Sequence, residues 1–206
     1  MDARLDRTVT SGPVTLEGNT IDVDNNVYVI GDRITCIVID APHNLDLILQ
    51  LVGDRILQGI ICTHAHEDHI QLAPALARRT GAPILLHPAD RFLWDSIHPN
   101  QSPDGILRDG QHIGIGRTTL EVIATPGHTP GSVCFWWPEE QLLFTGDTLP
   151  MSGRGATNEA ASDRVIQVKS IRQRLLPLGN DVVVKPGHGP ETTLGEQRPQ
   201  FELSEG

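Results

Sequence analysis

Potential metal ligands are concentrated in the segment IICTHAHEDHIQL, directly after an apolar β-type run. Four of them fall within six residues: His64, His66, Asp68 and His69. Side chains alternate along an extended strand, so His64 and His66 point to the same side. A helix that begins near Asp68 would bring this carboxylate and His69 around the same opening. Imidazole and carboxylate groups bind zinc and similar divalent cations, so the segment predicts a metal site at a strand end.

Three later segments share one local pattern, which is a β-type run, a turn of small residues and a ligand-type side chain. They are IATPGHTPGS with His128, LLFTGDTL with Asp147, and VVVKPGHGP with His188. A glycine in each segment lets the backbone turn tightly where the strand ends. Active sites are commonly formed by loops on a rigid core, so we expect these side chains to meet the first group.

Such a set of ligands would support hydrolysis of an activated acyl group. Two divalent ions about 3.5 to 4 Å apart can share a water, lower its pKa and polarise a carbonyl. A carboxylate beside that water, such as Asp68, can orient it and accept its proton. The chain has no GxSxG motif, and this chemistry requires no serine nucleophile. The sequence therefore predicts a metal-dependent hydrolase.

Alternating β-type and helical patterns must position these groups. In the first half they predict a hairpin of two strands (25–31 and 35–42), a helix (44–53) and a strand (57–64). A helix (70–81), a strand (82–88) and a short helix (89–97) follow. In the second half they predict a polar connection over 98–110, four β-type runs up to Asp147, a helix over 160–176, a strand over 181–187 and a polar tail. The pattern of strands followed by a helix occurs about twice along the chain. It predicts two sheets packed face to face, with helices on the outside.

Composition narrows the class of protein. A length of 206 residues predicts one domain, with a core over about 12–195 and flexible N-terminal and C-terminal tails. The formal net charge of -10 disfavours nucleic acid and anionic membranes as partners. The chain shows no apolar run of membrane-spanning length and no apolar signal-type stretch in MDARLDRTVTSG, so we expect a cytoplasmic location. We expect a monomer or weak homodimer, and free cysteines buried in apolar runs.

The ordered set THAHEDH, PGH, GD and PGHGP resembles the metallo-β-lactamase superfamily, over about residues 12–195. Within it, the chain is most similar to small bacterial proteins of the glyoxalase II (hydroxyacylglutathione hydrolase) type. The resemblance implies an α/β (α+β) fold, a four-layer αββα sandwich, with two divalent metal ions: zinc first, iron or manganese as alternatives. It implies a first metal on His64, His66 and His128. It implies a second on Asp68, His69 and His188, with Asp147 bridging both.

The resemblance also implies catalytic roles for Asp68 and Asp147 and an acyl-thiol substrate, a thioester of a low-molecular-weight thiol. Glyoxalase II enzymes bind glutathione with a C-terminal helical domain, whereas only 18 residues follow His188 here. Glutathione recognition is therefore not carried over. Arg154 is the best candidate to bind a substrate carboxylate, since a guanidinium offers a bidentate donor. Lys185 is a weaker candidate at the site mouth.

Several alternatives share parts of this pattern. Lactonases share all seven ligands, although many supply a tyrosine far downstream of Tyr28, the only tyrosine here. Persulfide dioxygenases share much of the ligand string and use a single iron on two histidines and one aspartate. Zinc β-lactamases place a cysteine where Asp147 stands, and the RNA-processing branch would need a basic surface. A non-enzymatic metal module is disfavoured, because structural zinc sites are normally closed and four-coordinate.

Overall fold

The computed structural model describes residues 3–16, 19–149 and 162–202, and within these ranges it contains two six-stranded sheets. The first sheet is formed by the N-terminal half of the chain. Its strands, in spatial order, are β1 (Arg4–Leu16), β2 (Asn19–Gly31), β3 (Thr35–Ile39), β4 (Ile56–Ile61), β5 (Ile84–Leu86) and β6 (Gly105–Ile106). Strands β1 to β3 are antiparallel, and β3 to β6 are parallel. The predicted hairpin of β2 and β3 is confirmed.

The second sheet is formed by the C-terminal half. Its strands, from one edge to the other, are β12 (Thr192–Thr193), β11 (Val183–Pro186), β10 (Leu142–Gly146), β9 (Val133–Trp137), β8 (Thr118–Ala124) and β7 (His112–Ile115). Strands β7 to β10 form the predicted antiparallel series, and β11 adds parallel to β10. The helices of the described residues are α1 (Leu45–Val52), α2 (Glu67–Ile70), α3 (Ala73–Thr80), α4 (Arg91–Ile97), α5 (Arg164–Ser170) and α6 (Leu194–Glu202).

Three apolar clusters show how these elements are layered. On β3, Ile37 and Ile39 pack against residues of the second sheet such as Phe135. The alternating residue Val38 faces the other way, against α1 and its neighbours. A third cluster joins the outer face of the second sheet to α6 and to the π-helical turn Ile171–Leu175 that continues α5. The order is helix, sheet, sheet, helix, which confirms the predicted αββα sandwich.

Regular elements extend beyond the predicted core of residues 12–195 at both ends of the described chain. Strand β1 pairs with β2 over its whole length, from Arg4 opposite Gly31 to Leu16 opposite Asn19. Near the C-terminus, α6 follows β12, and its residues Leu194 and Phe201 are buried. Much of β1 faces solvent, and α6 contacts the rest of the domain through few apolar side chains. Both segments are therefore rich in polar residues. The hydrophobic pattern alone therefore does not reveal them.

Three further findings concern the bounds of the helices, the cysteines and the length of the helices. The helix predicted over 70–81 is divided into α2 and α3, and α2 begins at Glu67, close to the expected start near Asp68. The three cysteines are free and buried. None of the helices in the described ranges has the length and apolar character that crossing a membrane requires.

Candidate metal centre

The seven predicted ligands meet at one rim of the two sheets. His64 and His66 lie in the loop after β4, and Asp68 and His69 lie in α2. The remaining three follow strands of the second sheet: His128 lies between β8 and β9, Asp147 directly after β10, and His188 after β11. Both halves of the chain thus contribute, as expected of loops at the ends of packed strands.

The first group consists of three histidines. A ring nitrogen from each of His64, His66 and His128 lies within 4.8 Å of the others. Nε2 of His64 is 3.1 Å from Nδ1 of His66. The ring of His128 stands 4.7 Å from that of His64 and 4.6 Å from that of His66, nearly perpendicular to both. The group offers three imidazole nitrogens to a single point.

The second group combines a carboxylate and two histidines. Asp68 Oδ2 is 3.1 Å from His188 Nε2 and 3.7 Å from His69 Nε2. The two histidine Nε2 atoms are 3.3 Å apart. Ligand atoms that lie about 2.1 Å from one tetrahedral ion are about 3.4 Å from each other. The donor spacing therefore fits a single divalent ion.

Asp147 lies between the two groups. Its Oδ2 is 3.3 Å from His188 Nε2 in the second group and 3.6 Å from His128 Nε2 in the first. Its Oδ1 is 3.5 Å from His69 Nε2. A carboxylate in this position can contact an ion in either group, so the arrangement is compatible with the predicted bridge. Overall, the donor set fits two divalent ions.

Hydrogen bonds from outside the ligand set orient two of the imidazoles. Asp40, at the end of β3, accepts from His69 Nδ1 at 2.8 Å and from the Thr63 hydroxyl at 2.7 Å. Because that hydroxyl donates to Asp40, it accepts from Nδ1 of His64, 3.0 Å away. In the neutral form of each histidine the Nε2 lone pair then faces the centre, as in many metal sites with carboxylate support.

The loop that carries His188 is held by strand β2. Nδ1 of His188 donates to the carbonyl of Asp24 at 2.7 Å. The Asn26 amide donates to the carbonyls of Pro186 and Gly189, both at 2.9 Å. The hydroxyl of Tyr28 also donates to Pro186, at 2.9 Å, and burial raises the pKa of this phenol. Tyr28 therefore supports the loop.

Two glycines of the motifs are required for different reasons. Gly146, before Asp147, has a φ of 48°, which favours glycine, as the predicted tight turn requires. At Gly187, before His188, the requirement is space. A Cβ atom there would lie 2.5 Å from Asp147 Oδ1 and 2.6 Å from His69 Cε1. A side chain would therefore push directly into the ligand set.

Buried charges are balanced within the site. Burial would lower the pKa of His69 and His188, but Asp147 and Asp68 raise both, that of His188 to about 10. Burial would raise the pKa of Asp68 and Asp147, but the same two histidines hold both well below their usual range. The pKa of His64 is lowered by burial and by the neighbouring histidines. An electron pair on neutral His64 is therefore available to a cation.

Asn25, on β2, is a site residue that the sequence analysis missed. It is buried, and its amide donates to Asp68 Oδ2 at 3.2 Å. The same nitrogen lies 3.4 Å from His188 Nε2. A hydrogen bond from a neutral amide favours the ionised form of the carboxylate. Asn25 lies between Asp24 and Asn26 at the start of a β-type run, and nothing in that run marks it as a site residue.

The structure describes one of the two candidate substrate-binding residues, Lys185, but not the other, Arg154. Arg154 lies outside the described residues, so its role stays a prediction. Lys185, on β11, forms an ion pair with the exposed carboxylate of Glu191. This pairing matches a lysine at a strand end more closely than a substrate contact.

The sequence and the fold of this chain are similar to those of known proteins. A model of the metallo-beta-lactamase superfamily matches residues 20–188. The hydroxyacylglutathione hydrolase GloC of Haemophilus influenzae is 31% identical over 183 residues, which cover 81% of this chain and 86% of that protein. The crystal structure of TTHA1623 in a di-iron-bound form superposes with a TM-score of 0.76 at 30% identity, over 91% of this chain and 96% of that one.

A third similarity is to the crystal structure of BLEG-1, a B3 metallo-beta-lactamase. It has a TM-score of 0.78 and 26% identity, over 97% of this chain and all of that chain. The superfamily match covers most of the chain, including all seven candidate ligands. The chain therefore belongs to the metallo-beta-lactamase superfamily.

Proposed function

We propose that the protein is a binuclear metal-dependent hydrolase that cleaves a thioester of a low-molecular-weight thiol. The observation that carries this proposal is the position of Asp147, whose carboxylate faces a group of three histidines on one side and a second group on the other. The similarity to a hydroxyacylglutathione hydrolase supports the same class of substrate.

The residues divide the work as follows. His64, His66 and His128 would hold one ion, Asp68, His69 and His188 the other, and Asp147 both. When bound, such a pair of ions supplies an activated water and polarises the substrate carbonyl. Asp68 orients the attacking water and accepts its proton. Asn25 keeps the Asp68 carboxylate in place for this task through its amide hydrogen bond.

The surroundings of the centre favour a thioester over an amide. A thioester has little resonance stabilisation and a good leaving group, so its cleavage needs no strong general acid. Among the residues that the structure describes, two side chains beside the PGHGP motif that could serve as acids are already engaged. Tyr28 is buried and donates to Pro186, and Lys185 is paired with Glu191. The same argument admits lactones, so lactonase activity is the second candidate.

The purified protein is expected to hold two metal ions per chain. The site offers six ligands in two groups and one carboxylate between the groups. A single ion could contact only some of them. Elemental analysis of the protein, combined with a protein determination, measures the content. A reproducible value of one iron with no zinc would contradict the binuclear proposal and would favour the persulfide dioxygenase alternative.

Thioesters are expected to be hydrolysed at least about tenfold faster than lactones, a barrier difference of about 1.4 kcal/mol. One preparation of known metal content should be compared on S-lactoylglutathione, the same acyl group on other thiols, an acyl-homoserine lactone, and a glutathione persulfide with oxygen uptake recorded. Oxygen uptake with the persulfide would contradict the thioesterase proposal, and so would a lactone as the best substrate. The fold and the grouping of the ligands would stand in either case.

A further inference from the structure

A buried carboxylate outside the ligand set connects the loops of the first group. Asp90 ends the short turn Pro88–Asp90 between β5 and α4, and its side chain has no exposed surface. Its Oδ2 accepts from the amide of Ala65 at 3.0 Å and from the hydroxyl of Thr129 at 2.7 Å. Its Oδ1 accepts from the amide of Gly131 at 2.6 Å. A buried carboxylate is stable only with such partners.

The three donors belong to two loops from different sheets. Ala65 stands between His64 and His66, in the loop that follows β4 of the first sheet. Thr129 follows His128, in the loop between β8 and β9 of the second sheet. One carboxylate therefore links the segments that carry all three histidines of the first group.

The second loop is shaped to approach this carboxylate. A Cβ atom at Gly131 would lie 2.6 Å from Asp90 Cγ and 2.7 Å from its Oδ1. The Thr129 hydroxyl is also 2.8 Å from that of Ser132, which accepts from the Thr129 amide at 3.0 Å. Because Gly131 has no side chain and the Thr129 hydroxyl donates to Asp90, the loop packs closely against this carboxylate.

The second group is supported by other residues. His69 is held by Asp40, and His188 is held by the carbonyl of Asp24. Neither contact involves Asp90. A further backbone bond, from Val133 to the carbonyl of Thr63 at 2.8 Å, joins the two sheets independently of Asp90. Loss of the carboxylate should therefore leave the sheets packed and the second group in place.

We propose that Asp90 is a positioning residue for the first metal site, one that fixes His64, His66 and His128 relative to one another without touching the ion. This proposal rests on the proposed function, because it assumes that these histidines share one ion. Residues that orient metal ligands typically change metal affinity by about 10 to 100-fold when they are replaced. We expect an effect of this size at the first site and little change at the second.

The test is Asp90→Asn in the full chain. Asn keeps the size of the side chain but provides only one acceptor oxygen, so part of the link is lost. Affinities for Zn²⁺ at each site are measured by competition with a chelator, and absorption spectra are recorded after substitution with Co²⁺. The variants His128→Ala and His188→Ala define the spectra of a protein with an impaired first or second site. Asp90→Asn should weaken one Zn²⁺ by about 10 to 100-fold and give the His128→Ala type of spectrum.

Two variants separate positioning from general stability. Asp104→Asn is the matched control, because this carboxylate accepts from the Ile84 amide at 2.8 Å, away from the ligand loops, and both affinities should stay at the wild-type value. Thr129→Val removes one hydrogen bond to Asp90 at nearly constant size. It should weaken the same first site by a smaller factor, and it provides the test if Asp90→Asn does not fold.

Two outcomes would overturn the proposal: wild-type affinity at both sites, or equal weakening of both sites with a lower melting temperature of the metal-free protein. The metal content of the wild type tests the proposed function separately. If the wild type binds one ion, the binuclear proposal fails. If that ion is lost in His128→Ala, Asp90→Asn must still weaken it. If it is lost only in His188→Ala, the first site does not exist and the inference about Asp90 is wrong.

Discussion

Asp147→Ala is expected to reduce the metal content from two ions to one or fewer and to lower the rate of hydrolysis by at least about 10³-fold, or about 4 kcal/mol. The Asp147 carboxylate lies 3.3 to 3.6 Å from nitrogens of both groups. Without it, the repulsion between two cations in the adjacent groups would lose a negative charge that offsets it. Metal content and rate should be measured on the same preparation, because the two losses are expected together.

Two comparison variants make this result specific. Asp147→Asn keeps the size of the side chain but removes its charge, so it should fall between the wild type and Asp147→Ala in metal content. Asp46→Asn changes an exposed carboxylate in the first turn of α1, and it should leave both quantities at the wild-type value. If Asp147→Ala keeps two ions and the wild-type rate, the carboxylate does not bridge and the binuclear proposal fails.

The candidate ligands could be predicted from the sequence because each has a local signature. His128, Asp147 and His188 each follow an apolar run and a glycine, and the strand ends β8, β10 and β11 place them at one rim. The alternation of residues in β3 likewise predicts one face toward a second sheet. Where local pattern and tertiary position agree in this way, sequence reasoning succeeds.

The supporting residues could not be predicted in the same way. Asp40 contacts Thr63, 23 residues later, and Asp90 contacts Ala65, 25 residues earlier. Asn25 reaches Asp68 across 43 residues. Each lies in an ordinary strand or turn sequence, and only the packing of distant segments brings it to the site. The interaction is a property of the tertiary structure, so no local pattern marks these residues.

Strand β1 shows a similar limit for the fold. Its segment RLDRTVTSGPVTL contains charged residues, a glycine and a proline, which do not predict a strand. The strand forms because its backbone pairs with β2 along 13 positions, while side chains such as Val9 remain partly exposed. Backbone pairing of this kind depends on the neighbouring strand, and the hydrophobic pattern does not report it.

Asp68→Asn is expected to lower kcat by about 10² to 10⁴-fold, the usual contribution of a general acid or base. The Asp68 carboxylate is 3.1 Å from His188 Nε2 and accepts from Asn25 at 3.2 Å. An amide of the same size can occupy this position, but it cannot accept the proton of the attacking water. The ion held by His64, His66 and His128 should remain, because Asp68 is outside that group. The measurement is kcat at saturating thioester, with metal content determined on the same sample.

The neighbouring carboxylate provides the matched control for Asp68→Asn. Glu67 precedes Asp68 in α2 and lies outside both ligand groups, so Glu67→Gln should keep the wild-type rate and metal content. Addition of excess metal then distinguishes the two roles of Asp68. If excess metal restores the rate of Asp68→Asn, the carboxylate acts as a ligand only. If the rate stays low while two ions are bound, the carboxylate is also the proton acceptor, because occupancy no longer accounts for the loss.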